Sequence, residues 1–152
     1  MTDRSWTLEP FEADDGTCPF ERFVTRELSA FQRQALDEAL RLRLAREGID
    51  LARSEWLKAL GEGLHEFRVR HTASEIAEMF GGEPPDVQHP PEAVLLRVFV
   101  HFYGNRIVLL LVGYDKGANP SAKRQGREIA RARKLLTQFK ERQRRERSRR
   151  RR

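Results

Sequence analysis

The sequence predicts an α+β fold, a small antiparallel sheet packed against N-terminal and C-terminal helices, and three observations lead to it. An apolar stripe at helical spacing runs from Pro19 to about Gly48. Runs with strand patterning follow at residues 64–70, 93–103 and 106–114. A second helical stripe opens near Ser121. At 152 residues the chain fits one domain, assigned to residues 1–140, with residues 141–152 left as a basic tail.

Ser5 to Phe11 reads as a short strand with Trp6 and Leu8 on one face, followed by a turn through "ADDGTCP". In the first helix Leu28, Phe31, Ala35, Ala39 and Leu42 recur at spacings of three and four, and Gly48 marks the stop. "LARSEWLKALGEG" reads as a shorter helix or turn, with Trp56, Leu57 and Leu60 toward the core. "LHEFRVR", Leu64 to Arg70, alternates strictly: His65, Phe67 and Val69 point one way, and Leu64, Glu66, Arg68 and Arg70 the other. Residues 71–93 hold four of the seven prolines and read as a loop with one helical turn near Ile76 to Phe80. "AVLLRVFVHFY" and "RIVLLLVGY" then form a hairpin about Gly104-Asn105. The second of these strands is apolar on both faces, so it is expected to be central and covered by helix on one side. In the last helix Ile129, Ala132, Leu136 and Phe139 form the stripe, while Arg124, Arg127, Arg131, Arg133 and Lys134 lie largely off it. The tail "ERQRRERSRRRR" has no apolar anchor and is expected to be disordered.

Composition narrows the function. The longest apolar run is six residues, Ile107 to Val112, and "MTDRSWTLEPF" carries Asp3 and Glu9 where a signal peptide needs an apolar stretch. A soluble, cytoplasmic protein with no membrane contact is expected. Cys18 is the single cysteine, which excludes an intrachain disulfide and a cysteine-based zinc site. His65, His71, His89 and His101 show no metal-ligand spacing, so neither a metal nor another cofactor is called for. The net charge of +6 hides a division: residues 1–92 carry 11 Lys and Arg against 19 Asp and Glu, and residues 93–152 carry 18 against 4. A basic half of this kind points to a polyanionic partner, usually nucleic acid.

The residues that can carry chemistry are Arg68, Arg70, Arg97, Tyr114, Lys116, Lys123 and Arg124. If the three strands are neighbours, Arg68 and Arg97 share a sheet face and Lys116 stands at the end of the third strand. Such a cluster suits a phosphodiester. RNA cleavage without a metal needs a base for the 2′-hydroxyl, cations on the phosphorane and a proton for the leaving 5′-oxygen. Arginine serves the second task, because its planar fork binds two phosphate oxygens and stays charged. A lysine among arginines loses its proton more readily than in water and serves as general acid or base. The bland alternative is a solvated strand face, or an ion pair of Glu66 with Arg68 or Arg70. His65 and His101, beside Phe67 and Phe99 in the alternation, read as packing residues, and Asp115 as a turn residue.

Taken together, "GEGLHEFRVR" and "LLRVFVHFYGNRIVLLLVGYDKGANPSAKRQGREIARARKLL" resemble the RelE/HigB toxin superfamily, in its phage-derived HigB-like branch. The resemblance covers roughly residues 24–140 and is most specific in the C-terminal half. It implies a RelE-like fold and ribosome-dependent cleavage of mRNA by a type II toxin, a metal-independent endoribonuclease that inhibits translation. It also implies a neutralising partner, a helix-turn-helix antitoxin of the HigA-like kind. Arg68 matches the arginine of the family's Glu-Leu-Arg, with Phe67 in place of Leu, and Arg97 matches that of Arg-Val-x-Tyr, with Val100 where an aromatic is common. Lys116 matches the lysine after the last strand; Gly117 replaces the second lysine, and Lys123 is the candidate for its role. The expected catalytic set is Arg68, Arg97, Lys116 and Tyr114, with Tyr114 stacking on a base or orienting the lysine and Gly113 letting RNA come close. Arg70, Lys123, Arg124 and Arg127 are expected to bind RNA. Two other functions stay open: an RNA- or ribosome-binding inhibitor that does not cut, and a DNA-binding regulator, although no helix-turn-helix spacing appears.

Overall fold

Strand β1 (Thr7–Pro10) lies at one edge of a five-stranded sheet, and the chain then crosses one face of that sheet before supplying the other four strands. The computed structural model describes residues 5–83 and 93–151. After β1 come helices α1 (Pro19–Glu27) and α2 (Ala30–Ala39), a π-helical turn (Leu40–Leu44), a three-residue α3 (Ala45–Glu47) and a 3-10 segment (Gly48–Arg53). Strands β2 (Leu57–Gly61) and β3 (Leu64–Val69), helix α4 (Ala73–Phe80), strands β4 (Leu96–Tyr103) and β5 (Ile107–Asp115), and helix α5 (Ala122–Arg150) complete the chain. The sheet order is β1-β5-β4-β3-β2. The α+β class stands, but the sheet is mixed: β1 runs parallel to β5, and the other neighbours are antiparallel. The parallel pair arises because β1 joins the last strand, a non-local pairing that no local pattern encodes.

Several elements differ from the sequence expectation for local reasons. The long first helix is two helices. Leu28 is extended, and Ser29 caps α2 by accepting from the Gln32 N–H while the Gln32 side chain returns to the Ser29 N–H. β2 stands where helix or turn was expected, since Leu-Lys-Ala-Leu has helical composition; pairing with β3 through a left-handed turn at Gly61, Glu62 and Gly63 overrides it. The hairpin loop spans residues 104–106 rather than two residues, with both Gly104 and Arg106 at positive φ. Between β3 and β4 the expected single turn is the two-turn α4, capped by Thr72 and ended by Gly81. The Pro-rich residues 84–92 of the expected loop lie outside the described residues.

Two apolar layers hold the sheet. On one face Phe23, Leu36, Leu42 and Trp56 pack against Phe67, Val69, Val98 and Leu110. On the other, Ala132, Leu136 and Phe139 of α5 pack against Phe11, Leu64, Phe99 and Leu111. β5 is therefore covered on both faces, not one, which accounts for its unbroken apolar run. Arg142 also departs from expectation. It donates to Asp14 at 2.8 Å and to the Glu12 carbonyl at 2.9 Å and lies over the Phe11 ring, so α5 runs on as helix to Arg150 where a disordered tail was expected. The segment contains no Gly or Pro, and Arg, Gln and Glu are good helix formers. Among the described residues no helix is long and apolar enough to cross a membrane.

One irregularity fixes which way the end of β5 faces. Leu110 lies opposite Val100 and Val112 opposite Phe99, so β5 carries one extra residue there, and Leu111 and Val112 both belong to the α5-side core. Leu109 and Tyr114 consequently face the same side although they stand five positions apart, which regular alternation would place on opposite sides.

Candidate active site

Beyond the bulge, Arg68 of β3, Arg97 of β4 and Tyr114 of β5 pair directly across three adjacent strands. Pairing and alternation put all three on the α5 side, together with Glu66 two residues before Arg68. The Glu66 carboxylate is fully buried, accepts from Arg68 Nε at 3.0 Å and lies 3.4 Å from Arg97 Nε. Gln125 of α5 donates to its second oxygen at 3.3 Å. The ion pair weighed in the sequence as the bland alternative is thus present, and it ties the two arginines to one carboxylate.

Arg97 is 2% exposed and Tyr114 is 1% exposed. The Tyr114 ring is stacked on Phe99, with centroids 6.2 Å apart and planes within 8°, so base stacking by Tyr114 does not fit this arrangement. Nor does Gly113 open the site. A Cβ there would lie 2.5 Å from Phe23 of α1 and 2.8 Å from the Arg97 carbonyl, so its missing side chain makes room for packing on the opposite face. Sequence reasoning placed both residues at a mouth; the second cover, α5, puts Tyr114 under a roof.

Burial sets the electrostatics. It lowers the Arg97 pKa, with Glu66 opposing and Arg68 and Arg70 adding to the shift, yet a guanidinium remains charged. Burial, then Glu66, raise the Tyr114 phenol above its usual range, so it stays protonated as a donor. Arg97 Nη1 and Tyr114 Oη find no hydrogen-bond partner among the described residues. Two buried donors with no partner among the described residues fit a role in binding a transient anion.

Lys116 follows β5 on a short loop held by Asp115. The Asp115 carboxylate accepts from Gln32 of α2 at 2.7 Å and from the Ala118 N–H at 3.1 Å, which confirms a turn role and anchors the lysine's backbone. Lys116 is partly exposed. Its pKa is lowered, first by partial burial and next by Arg97, with Arg68 and Arg70 contributing and Glu66 opposing. Lys116 therefore shares one electrostatic site with the row.

The expected RNA contacts divide. Arg70 is exposed, with one nitrogen 3.9 Å from Glu55, and Lys123 and Arg127 are exposed on the first turns of α5. Arg124 is committed internally, donating to Glu128 and to Asn119 at 3.0 Å each. Sequence reasoning missed Gln125 and Glu128, the α5 residues that face the row. The only available signal was their placement at i and i+3, with Glu128 beside Ile129 at the edge of the apolar stripe. Among the described residues no group of three or more His, Cys, Asp or Glu is placed to hold a metal ion. No protein-family model matches the chain, and no curated protein or solved structure does so either.

Proposed function

We propose that this chain is the toxin of a type II toxin-antitoxin pair, a ribosome-dependent mRNA endonuclease that works without a metal. One observation carries the reading: Arg68, Arg97 and Tyr114 stand in register on three rigid strands, with Glu66 among them and Lys116 beside them. The resemblance of the same residues to the RelE/HigB pattern supports it independently of geometry.

In the proposed reaction the phosphate enters as Gln125 leaves Glu66, and Arg68 and Arg97 turn from the carboxylate toward the phosphate oxygens. The freed Glu66 carboxylate takes the proton of the 2′-hydroxyl as its oxygen attacks phosphorus. Arg97 and Tyr114, with their unused donors, hold the phosphorane charge. Lys116 gives its proton to the departing 5′-oxygen, a task eased by its lowered pKa. The products are a 2′,3′-cyclic phosphate and a 5′-hydroxyl. A HigA-like helix-turn-helix antitoxin would inhibit by covering the basic face around Arg70, Lys116 and Lys123 with acidic or apolar segments.

The test is expression in a bacterial host without the antitoxin, followed by mapping of cut mRNA ends. Growth arrest with 5′-hydroxyl ends is expected, and 5′-phosphate ends would show water to be the nucleophile and remove these roles. A second reading, an RNA- or ribosome-binding inhibitor that does not cut, draws on the burial of Arg97 and its neutralisation by Glu66. It requires Lys116→Met to arrest growth as the parent does, with mRNA intact in both.

A further inference from the structure

The α5-covered face has a second polar end. His101 and Tyr103 sit on β4 with parallel rings, centroids 6.2 Å apart and planes within 6°. Phe139 packs obliquely against both, 4.7 Å from Tyr103 and 5.9 Å from His101. The His101 ring is fixed by its Nδ1 contact with the Gly63 carbonyl at 2.8 Å, and the Tyr103 hydroxyl by Glu9. Between these rings and the last turns of α5 lies an open groove of about 520 Å³, lined also by Gln143, Glu146, Arg147 and Arg150. Those four are spaced i, i+3, i+4 and i+7, so they form one helix face. Both arginines are exposed, and residues 141–152 hold eight arginines against two glutamates.

We propose that this groove binds single-stranded RNA, with Arg147 and Arg150 on the phosphates and a base laid against Tyr103 and His101. The combination of fixed aromatic faces with a basic wall is what an unpaired strand requires, since a paired base has no free face to stack. Burial keeps the His101 pKa below its usual value, so near neutral pH the ring offers a π surface rather than a charge. The groove's volume lies in the range of small-ligand sites and accommodates about one nucleotide. Arg97 and Tyr103 are six residues apart on one strand, roughly 20 Å. That distance corresponds to about six nucleotides of stacked strand, so the groove would hold RNA at a set distance from the scissile bond. The choice of RNA over DNA rests on the endonuclease reading; the groove itself does not.

The experiment uses the full chain and a fluorescein-labelled 2′-O-methyl oligoribonucleotide of about twelve residues, which cannot be cut through its 2′-oxygens. Arg147→Glu with Arg150→Glu is expected to weaken binding at least about ten-fold and to flatten its salt dependence. Both positions lie beyond Phe139, the last buried residue, so the fold does not depend on them. Arg33→Glu with Arg53→Glu changes net charge equally at exposed sites elsewhere and is expected to cost less than about two-fold. An abasic strand of the same length should bind at least about five-fold more weakly. Equal losses in the two charge-reversed pairs, equal binding of the abasic strand, or equal competition by an RNA duplex would each overturn the proposal. If mRNA is cut and the groove variant binds normally, this inference alone fails. If the groove binds as expected and no mRNA is cut, the endonuclease reading alone fails.

Discussion

The two faces of the sheet are built from alternate residues of the same strands, yet they hold the molecule together by different means. On the α1 and α2 face, Phe67, Val69, Leu96 and Val98 meet other apolar side chains, and each contributes by leaving water. One residue along in either direction, Glu66, Arg68 and Arg97 face α5, where Phe99 and Tyr114 supply the apolar surround. The first face tolerates exchange among apolar shapes. The second is a balance of buried charges, in which removing one partner costs far more than removing both. The apolar face can therefore be altered apart from the proposed chemistry, whereas the charged row bears on stability and on that chemistry together.

The largest effect that tests this contrast is Glu66→Ala. It leaves Arg97 buried without its carboxylate and should destabilise the fold by about 3–5 kcal/mol. For a chain of this size that lowers Tm by roughly 10 °C. Glu66→Met combined with Arg97→Met should recover most of the stability while abolishing mRNA cleavage. Thermal melts of both variants decide the matter, and a single substitution as mild as a surface change would show that the row is solvated.

Next is Leu96→Ala, fully buried on the opposite face, with an expected loss of about 3 kcal/mol in urea unfolding. Cleavage per folded molecule should stay within about two-fold of the parent, because Leu96 points away from Arg97. A ten-fold fall or more would mean that the faces are coupled.

Lys116→Arg is directed at the proposed chemistry alone. Arginine keeps the charge but holds its proton, so cleavage should fall by about 100-fold while stability changes by less than about 0.5 kcal/mol. In the parent, activity should decline on the alkaline side below the ordinary lysine range, since burial and Arg97 lower this pKa. An unchanged rate in the variant would make Lys116 a charge stabiliser only.

The smallest effect is on stability against pH. Because the folded Lys116 loses its proton below the ordinary value of 10.5, the folded chain binds fewer protons than the unfolded one in that window. Stability contributed through this group should therefore rise slightly as pH increases through the lowered pKa toward 10.5. Lys116→Met should remove the rise. A slope of the opposite sign would place the lysine in a field dominated by Glu66.

Much of this arrangement was legible because it is local. The alternation in "LHEFRVR" put Glu66 and Arg68 on one side, the hairpin located Arg97 beside the last strand, and the spacing of Ala132, Leu136 and Phe139 identified the face of α5 that packs. What escaped was set by distant parts of the chain. β2 has helical composition and becomes a strand through its partner. Tyr114 looks like a strand-end aromatic until α5 is laid across it. Gln125 and Glu128 are marked in the sequence only by their spacing at the edge of the apolar stripe, a weak sign on any polar helix surface. Arg142 anchors the tail through Asp14 and Phe11, which lie far away in the chain.

The extra residue in β5 has a consequence for how this strand tolerates change. In a regular strand, deleting one residue turns every later side chain to the wrong side. Here Leu110 already faces Val100 and Val112 already faces Phe99, with Leu111 as the surplus between them. Loss of Leu111 would close the strand into regular pleat and leave Tyr114 opposite Arg97. The penalty would be one buried leucine's packing, roughly 3 kcal/mol, and not the geometry of the row. β5 thus carries slack of one residue, and a deletion there is a graded event where in the regular pairing of β3 with β4 it would be all or none.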